Sequence, residues 1–146
     1  MNSIADRLTA LYQNPPQIYT DEHRALFQEL LDGLNQGIFR SCELQNGEWI
    51  INPWVKMGIL AGFRMGSLTE LPWSERKPFF DKDTICEKQF QLSDNIRIVP
   101  GGSSARNGCY IAPGVTIMPP AFVNIGAYVR SEERRVGKEC RSRWSP

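Results

Sequence analysis

A chain of 146 residues accommodates one domain, or one small domain with part of another. Hydrophobic residues at 41% and charged residues at 23% exclude a disordered polyelectrolyte and supply enough apolar surface for a core. The net charge of +1 argues neither for nor against a polyanionic partner and is unevenly spread: residues 130–146 hold six Lys and Arg against three Asp and Glu, leaving eleven against thirteen elsewhere.

The opening residues Met1-Asn2-Ser3-Ile4-Ala5-Asp6-Arg7 carry charges where a secretory leader needs an apolar core. No stretch approaches the roughly 18 apolar residues that cross a bilayer. A cytoplasmic chain without membrane contact is expected. Cys42, Cys86, Cys109 and Cys140 include no C-x-x-C pair and lie near no His cluster, so free thiols are expected rather than a metal site or a disulfide framework.

Ile4, Leu8, Leu11 and Tyr12 fall at helical spacing, and Asn14-Pro15-Pro16 ends that first helix. Thr20 is an N-cap with Asp21 and Glu22 in the first turn, and the stripe Leu26, Leu30, Leu34 predicts a second helix from Asp21 to Gln36, closed near Gly37. Ile38 to Leu44, the Asn46-Gly47 turn and Trp49-Ile50-Ile51 predict a β-hairpin. Pro53 opens a third helix through Phe63, expected to pack on that hairpin. Residues 66–96, broken by Gly66, Pro72 and Pro78, read as an irregular connecting segment.

From Val99 a six-residue period takes over. Val99, Ala105, Ile111, Ile117, Val123 and Val129 share one column, while Ser103, Cys109, Val115, Ala121 and Ala127 share a second, all small or modest in size. Such a period lets three short strands and three corners close a coil of about 18 residues, with coils stacked so that aliphatic side chains line a narrow interior. Pro100-Gly101-Gly102, Asn107-Gly108, Pro113-Gly114 and Ile125-Gly126 supply the corners. An ordinary sheet or loop with recurrent Gly and Pro does not account for two columns in step. The spacing implies a parallel β-helix and says nothing of a reversal of the usual right-handed crossover.

Ile96-Arg97-Ile98-Val99-Pro100, Tyr110-Ile111-Ala112-Pro113-Gly114-Val115 through Met118-Pro119, and Val123-Asn124-Ile125-Gly126-Ala127-Tyr128-Val129 resemble the tetrahydrodipicolinate N-succinyltransferase family. Asn46-Gly47-Glu48-Trp49, Trp54-Val55-Lys56 and Phe63-Arg64 resemble its N-terminal domain, so the likeness spans about residues 20 to 129. The resemblance implies a mixed α/β chain: a mostly helical N-terminal domain with a hairpin over 1–65, a connecting segment over 66–96, and the start of a left-handed β-helix over 97–129. It implies a cytoplasmic homotrimer with active sites between neighbouring subunits. The reaction would move a succinyl group from succinyl-CoA, as co-substrate, to the amine of tetrahydrodipicolinate in the diaminopimelate and lysine pathway, with no metal and no permanent cofactor.

Arg97 matches a family arginine associated with substrate binding, and its planar guanidinium suits bidentate contact with a carboxylate. Arg106 is read as solvent-facing. The catalytic residues are expected in a C-terminal part that this chain lacks. After Val129 the family continues through more coils, whereas Arg130-Ser131-Glu132-Glu133-Arg134-Arg135 breaks the period, so 130–146 reads as a non-native basic tail of a truncated chain, inactive and aggregation-prone alone. His23 is assigned a surface or helix-terminal role and Cys109 a packed thiol. The basic tail with Trp144 is not taken as a nucleic-acid site. An acetyl-CoA-dependent acyltransferase and a non-catalytic β-helix scaffold are the competing readings.

Overall fold

The computed structural model describes residues 3–71, 79–130 and 135–136; for 70, 71, 79, 135 and 136 the backbone alone is described. Helix α1 (Ile4–Gln13) starts where Ser3 Oγ accepts the Asp6 amide at 3.2 Å and Asp6 Oδ2 accepts the Ser3 amide at 3.1 Å. This reciprocal cap satisfies amides that have no partner inside the helix. Helix α2 (Asp21–Asn35) begins after Thr20 with Asp21 and Glu22 in its positive first turn, as the spacing predicts. It closes at Gly37 (φ 72°), where the Ile38 and Phe39 amides both turn back to the Gly33 carbonyl. That closure consumes residues assigned above to a strand, so strand β1 (Cys42–Gln45) begins late.

Strand β1 pairs antiparallel with β2 (Glu48–Ile51), Leu44 opposite Trp49, across Asn46 (φ 53°) and Gly47 (φ 85°), the left-handed pair that a two-residue hairpin turn requires. Helix α3 (Pro53–Met65) follows. Its expected packing on the hairpin is not what forms: α3 lies against α1 and α2, and Leu44, Trp49 and Ile51 stay exposed. The reason lies in Gly58, whose missing side chain leaves a groove. A Cβ there would stand 2.6 Å from Leu30 and 3.1 Å from Leu8, so two helices approach α3 more closely than a four-residue ribbon can. Leu8, Leu30 and Val55 are consequently sealed from solvent.

The connecting segment is more regular than expected, because β3 (Leu68–Leu71) pairs antiparallel with β4 (Phe79–Lys82); residues 72–78 lie outside the described residues. Ile85 then drops into the helical core. Residues beyond it cross the coil's first turn, where the Lys88 amide bonds the Ala105 carbonyl and the Asn107 amide bonds the Cys86 carbonyl.

The hexads form β5 (Arg97–Ile98), β6 (Ser104–Ala105), β7 (Tyr110–Ile111), β8 (Thr116–Ile117), β9 (Phe122–Val123) and β10 (Tyr128–Val129). β5 pairs with β8, β6 with β9 and β7 with β10, all parallel, so one three-faced turn stacks on the next. The aliphatic column starts at Ile98 rather than Val99. Ile98 stands opposite Ile117, whereas Ala105 faces Val123 and Ile111 faces Val129. The first corner thus holds one extra residue, taken up by Gly101 (φ 143°) and Gly102 (φ 89°) in backbone regions open to glycine. The period is lost after Val129, yet the backbone of β11 (Arg135–Val136) pairs in parallel with the other edge of β8, Val136 opposite Ile117. Parallel pairing uses amides and carbonyls that every such residue carries, so it continues past the side-chain pattern.

Candidate functional site at the start of the coil

On a strand, successive side chains point to opposite faces. Ile98 opposes Ile117 in the column that lines the coil, which sends Arg97 to the outer face with Thr116 beside it. The Arg97 amide is fixed by the Val115 carbonyl at 3.0 Å. Its side chain is exposed, and no described residue pairs with the guanidinium. A fixed backbone with an open fork of donors is what carboxylate capture asks of an arginine.

Arg106 differs, and its reading as solvent-facing is corrected. Its Nη2 lies 2.6 Å from Asp81 Oδ2, both side chains only about a quarter exposed, and its Nη1 donates to Asn124 at 3.3 Å. The guanidinium also lies over the Phe63 and Phe122 rings at 5.3 and 5.6 Å. It ties α3, β4 and β9 to the residue that follows β6, with its charge already paired by Asp81.

A second polar junction, centred on Asn35 and Lys88, was not legible in the sequence. Asn35 Oδ1 accepts from Lys88 Nζ at 2.6 Å and from the Gly108 amide at 3.0 Å, while its Nδ2 donates to Asn107 Oδ1 at 2.7 Å. Lys88 Nζ also donates to the Cys109 carbonyl at 2.9 Å. Burial holds the Lys88 ammonium below its ordinary range, an effect that Cys109 and Asp94 partly counter. Nearby, Arg40 Nη2 donates to the Tyr128 hydroxyl at 2.8 Å, and Tyr128 stacks on Tyr110 with centroids 4.5 Å apart. These contacts seat the C-terminal end of α2 on the β7–β10 face and so fix where the helical domain stands relative to Arg97.

His23 caps the start of α2: its Nδ1 accepts the Thr20 amide at 3.0 Å, the part usually taken by Glu or Gln. Cys109 is fully buried, and burial pushes its thiol up, the setting of a packed thiol. Among the described residues no group of three His, Cys, Asp or Glu side chains gathers as metal ligands would, and no helix is long and apolar enough to cross a membrane.

Comparison with known proteins follows the same division. Residues 3–65 match the family described as tetrahydrodipicolinate N-succinyltransferase N-terminal. The 2,3,4,5-tetrahydropyridine-2,6-dicarboxylate N-succinyltransferase of Histophilus somni (strain 2336) is 38% identical over 111 residues, covering 73% of this chain and 39% of the relative. That of Psychrobacter sp. (strain PRwf-1) is 36% identical over 117 residues, 77% of this chain and 42% of the relative. That of Herminiimonas arsenicoxydans is 34% identical over 119 residues, 79% of this chain and 42% of the relative. The chain spans about two fifths of the length of the curated relatives it matches. Residues 3–65 thus belong to the family described as tetrahydrodipicolinate N-succinyltransferase N-terminal, and the likeness to the named succinyltransferases extends well beyond residue 65.

Proposed function

We propose that this chain supplies the helical domain and opening coil of an N-succinyltransferase that moves the succinyl group of succinyl-CoA onto the amine of tetrahydrodipicolinate, a cytoplasmic step of diaminopimelate and lysine biosynthesis. The observation that carries this reading is the extent of the likeness, which takes in more of the chain than the matched N-terminal domain and comes from proteins named for that reaction. The ring nitrogen of a tetrahydropyridine is an imine, so water first adds across its C=N bond; the resulting amine nitrogen bonds the thioester carbonyl carbon, the carbon–sulfur bond breaks, coenzyme A leaves as its thiol, and the nitrogen gives up its proton. No permanent cofactor takes part. Arg97 binds a carboxylate of the substrate; the base and the oxyanion donors come from the rest of the fold.

The coil in this reading is the start of a left-handed β-helix over 97–129, following the domain at 1–65 and the connector at 66–96, and the enzyme is a homotrimer with sites between subunits. An exposed guanidinium on the outer face of the coil suits a site that a neighbouring subunit completes. Residues 130–146 are a non-native tail in the same reading, and sequencing the gene past the codon for Val129 tests that directly. For the activity, the measurement is thiol release from succinyl-CoA by a chimera joining residues 3–129 to the remainder of the Histophilus somni relative. Turnover that depends on tetrahydrodipicolinate is expected. Arg97→Ala raises the KM for the dicarboxylate about tenfold or more and leaves that for succinyl-CoA unchanged, and Arg97→Lys restores part of the loss. Preference for acetyl-CoA, or no turnover with either donor, overturns the proposal.

A further inference from the structure

The aliphatic column that lines the coil has one gap. Ile98, Ile111, Ile117, Val123 and Val129 carry branched side chains, but Ala105 carries a methyl group. Ala105 is 1% exposed, so the missing volume lies inside the coil's first turn. A cavity of about 230 Å³ occurs there, walled by Ala105, Ile98, Ile117 and Phe90. At interior packing densities it has room for about six to eight non-hydrogen atoms.

The rim of this cavity is polar. Glu87, Ser103 and Ser104 complete its lining. Ser103 Oγ accepts the Ala121 amide at 3.2 Å, which leaves its proton free to donate. Glu87 is half-buried, and its carboxylate makes no hydrogen bond or ion pair with a described residue. The other half-buried acid on this side, Asp81, is paired with Arg106, so that cation is already engaged. Burial alone pushes the Glu87 carboxyl up from its ordinary range, the response of an acid that has lost water and gained no partner.

A half-buried carboxylate without a partner, beside an aromatic ring and a dry aliphatic wall, selects its ligand by chemistry. An ammonium donates to the carboxylate and is attracted by the ring, a short alkyl chain covers Ile98 and Ile117, and an anion is repelled. We propose that the mouth of the coil is a binding site for a small primary aliphatic amine, its ammonium on Glu87 and its chain against Phe90, Ile98 and Ile117. This site opens at the end of the coil, on the opposite side of β5 from Arg97, and does not depend on the transfer reaction.

The test is a titration of the full 146-residue chain with n-pentylamine near neutral pH, followed by the methyl NMR signals of Ile98 and Ile117, with Leu8 and Leu30 as references. Saturable shifts confined to the coil methyls are expected. Glu87→Gln, at the rim and free of packing duties, weakens binding about tenfold or more, as loss of a charged hydrogen-bond partner should. n-Pentanol, of the same shape without the charge, binds about tenfold more weakly or worse, and Ala105→Leu fills the cavity and abolishes the shifts. Absence of saturable shifts, equal affinity in Glu87→Gln, or equal affinity for the alcohol overturns the proposal. The Glu87→Gln and alcohol arms keep it falsifiable should Ala105→Leu disturb folding.

Discussion

The helical domain and the coil bury their apolar residues in different ways. In the helical domain, side chains from three separate elements interdigitate: Leu8 of α1, Leu30 of α2 and Val55 of α3 meet where Gly58 lets the helices close. In the coil, each inward side chain rests on its counterpart one turn away, Ile98 on Ile117 and Ile111 on Val129. A bundle closes upon itself, whereas a stack of turns always has an end. That end is visible in the exposure of Ile98, 38%, against 2% for Ile117 one turn further in. The helical domain therefore holds stability in one place, and the coil spreads it layer by layer.

Four substitutions test that contrast, from the largest effect to the smallest. Leu30→Ala removes a fully buried side chain from the meeting point of three helices and should cost about 3 to 4 kcal/mol in urea unfolding. Hydrogen exchange should rise in both regions, since α2 also anchors the coil. Ile117→Ala should cost about 2 to 3 kcal/mol, but its exchange signature is local. The Arg97 and Val99 amides, bonded to the Val115 and Ile117 carbonyls, lose protection while α1 to α3 keep theirs. Equal loss in the helices would break the comparison.

Asn35→Ala addresses the seam between the two regions. It leaves the Lys88 ammonium, the Gly108 amide and the Asn107 side chain each short of a partner, and should cost about 2 kcal/mol. Calorimetry should show one transition separating into two as the regions uncouple. The smallest effect is expected at Asp83, which accepts the Ser67 amide at 2.7 Å and Arg24 at 3.2 Å near the surface. The Ser67 amide chiefly holds this carboxyl below its ordinary 3.8; burial opposes it, and the Arg24 guanidinium adds to the lowering. A depressed folded value means stability present above pH 3.8 and lost as pH falls through the folded value. Asp83→Asn should lower stability slightly near neutral pH, match the parent chain at the acid end, and so flatten acid unfolding in that window.

Much of the local structure was legible from side-chain spacing and turn chemistry. Leu26, Leu30 and Leu34 name a buried helix face, Asn46-Gly47 names its turn, and the hexads name a coil, because each depends on residues within one or two turns of one another. Arg97 was legible as a candidate only through resemblance, and the Asn35–Lys88 junction left no sign at all. An asparagine at a helix end and a lysine in a polar segment look like solvated surface until the fold brings them together, 53 positions apart.

The sequence by itself determined the helices, the hairpin turn and the coiling repeat, since backbone propensity and hydrophobic period act over short range. Only the tertiary structure decided that α3 turns from the hairpin to α1 and α2, that the coil's column starts at Ile98, and that Arg106 is a clamp while Arg97 stays open. Those choices are competitions between distant surfaces for the same side chain, won by whichever contact buries more area with its polar groups satisfied.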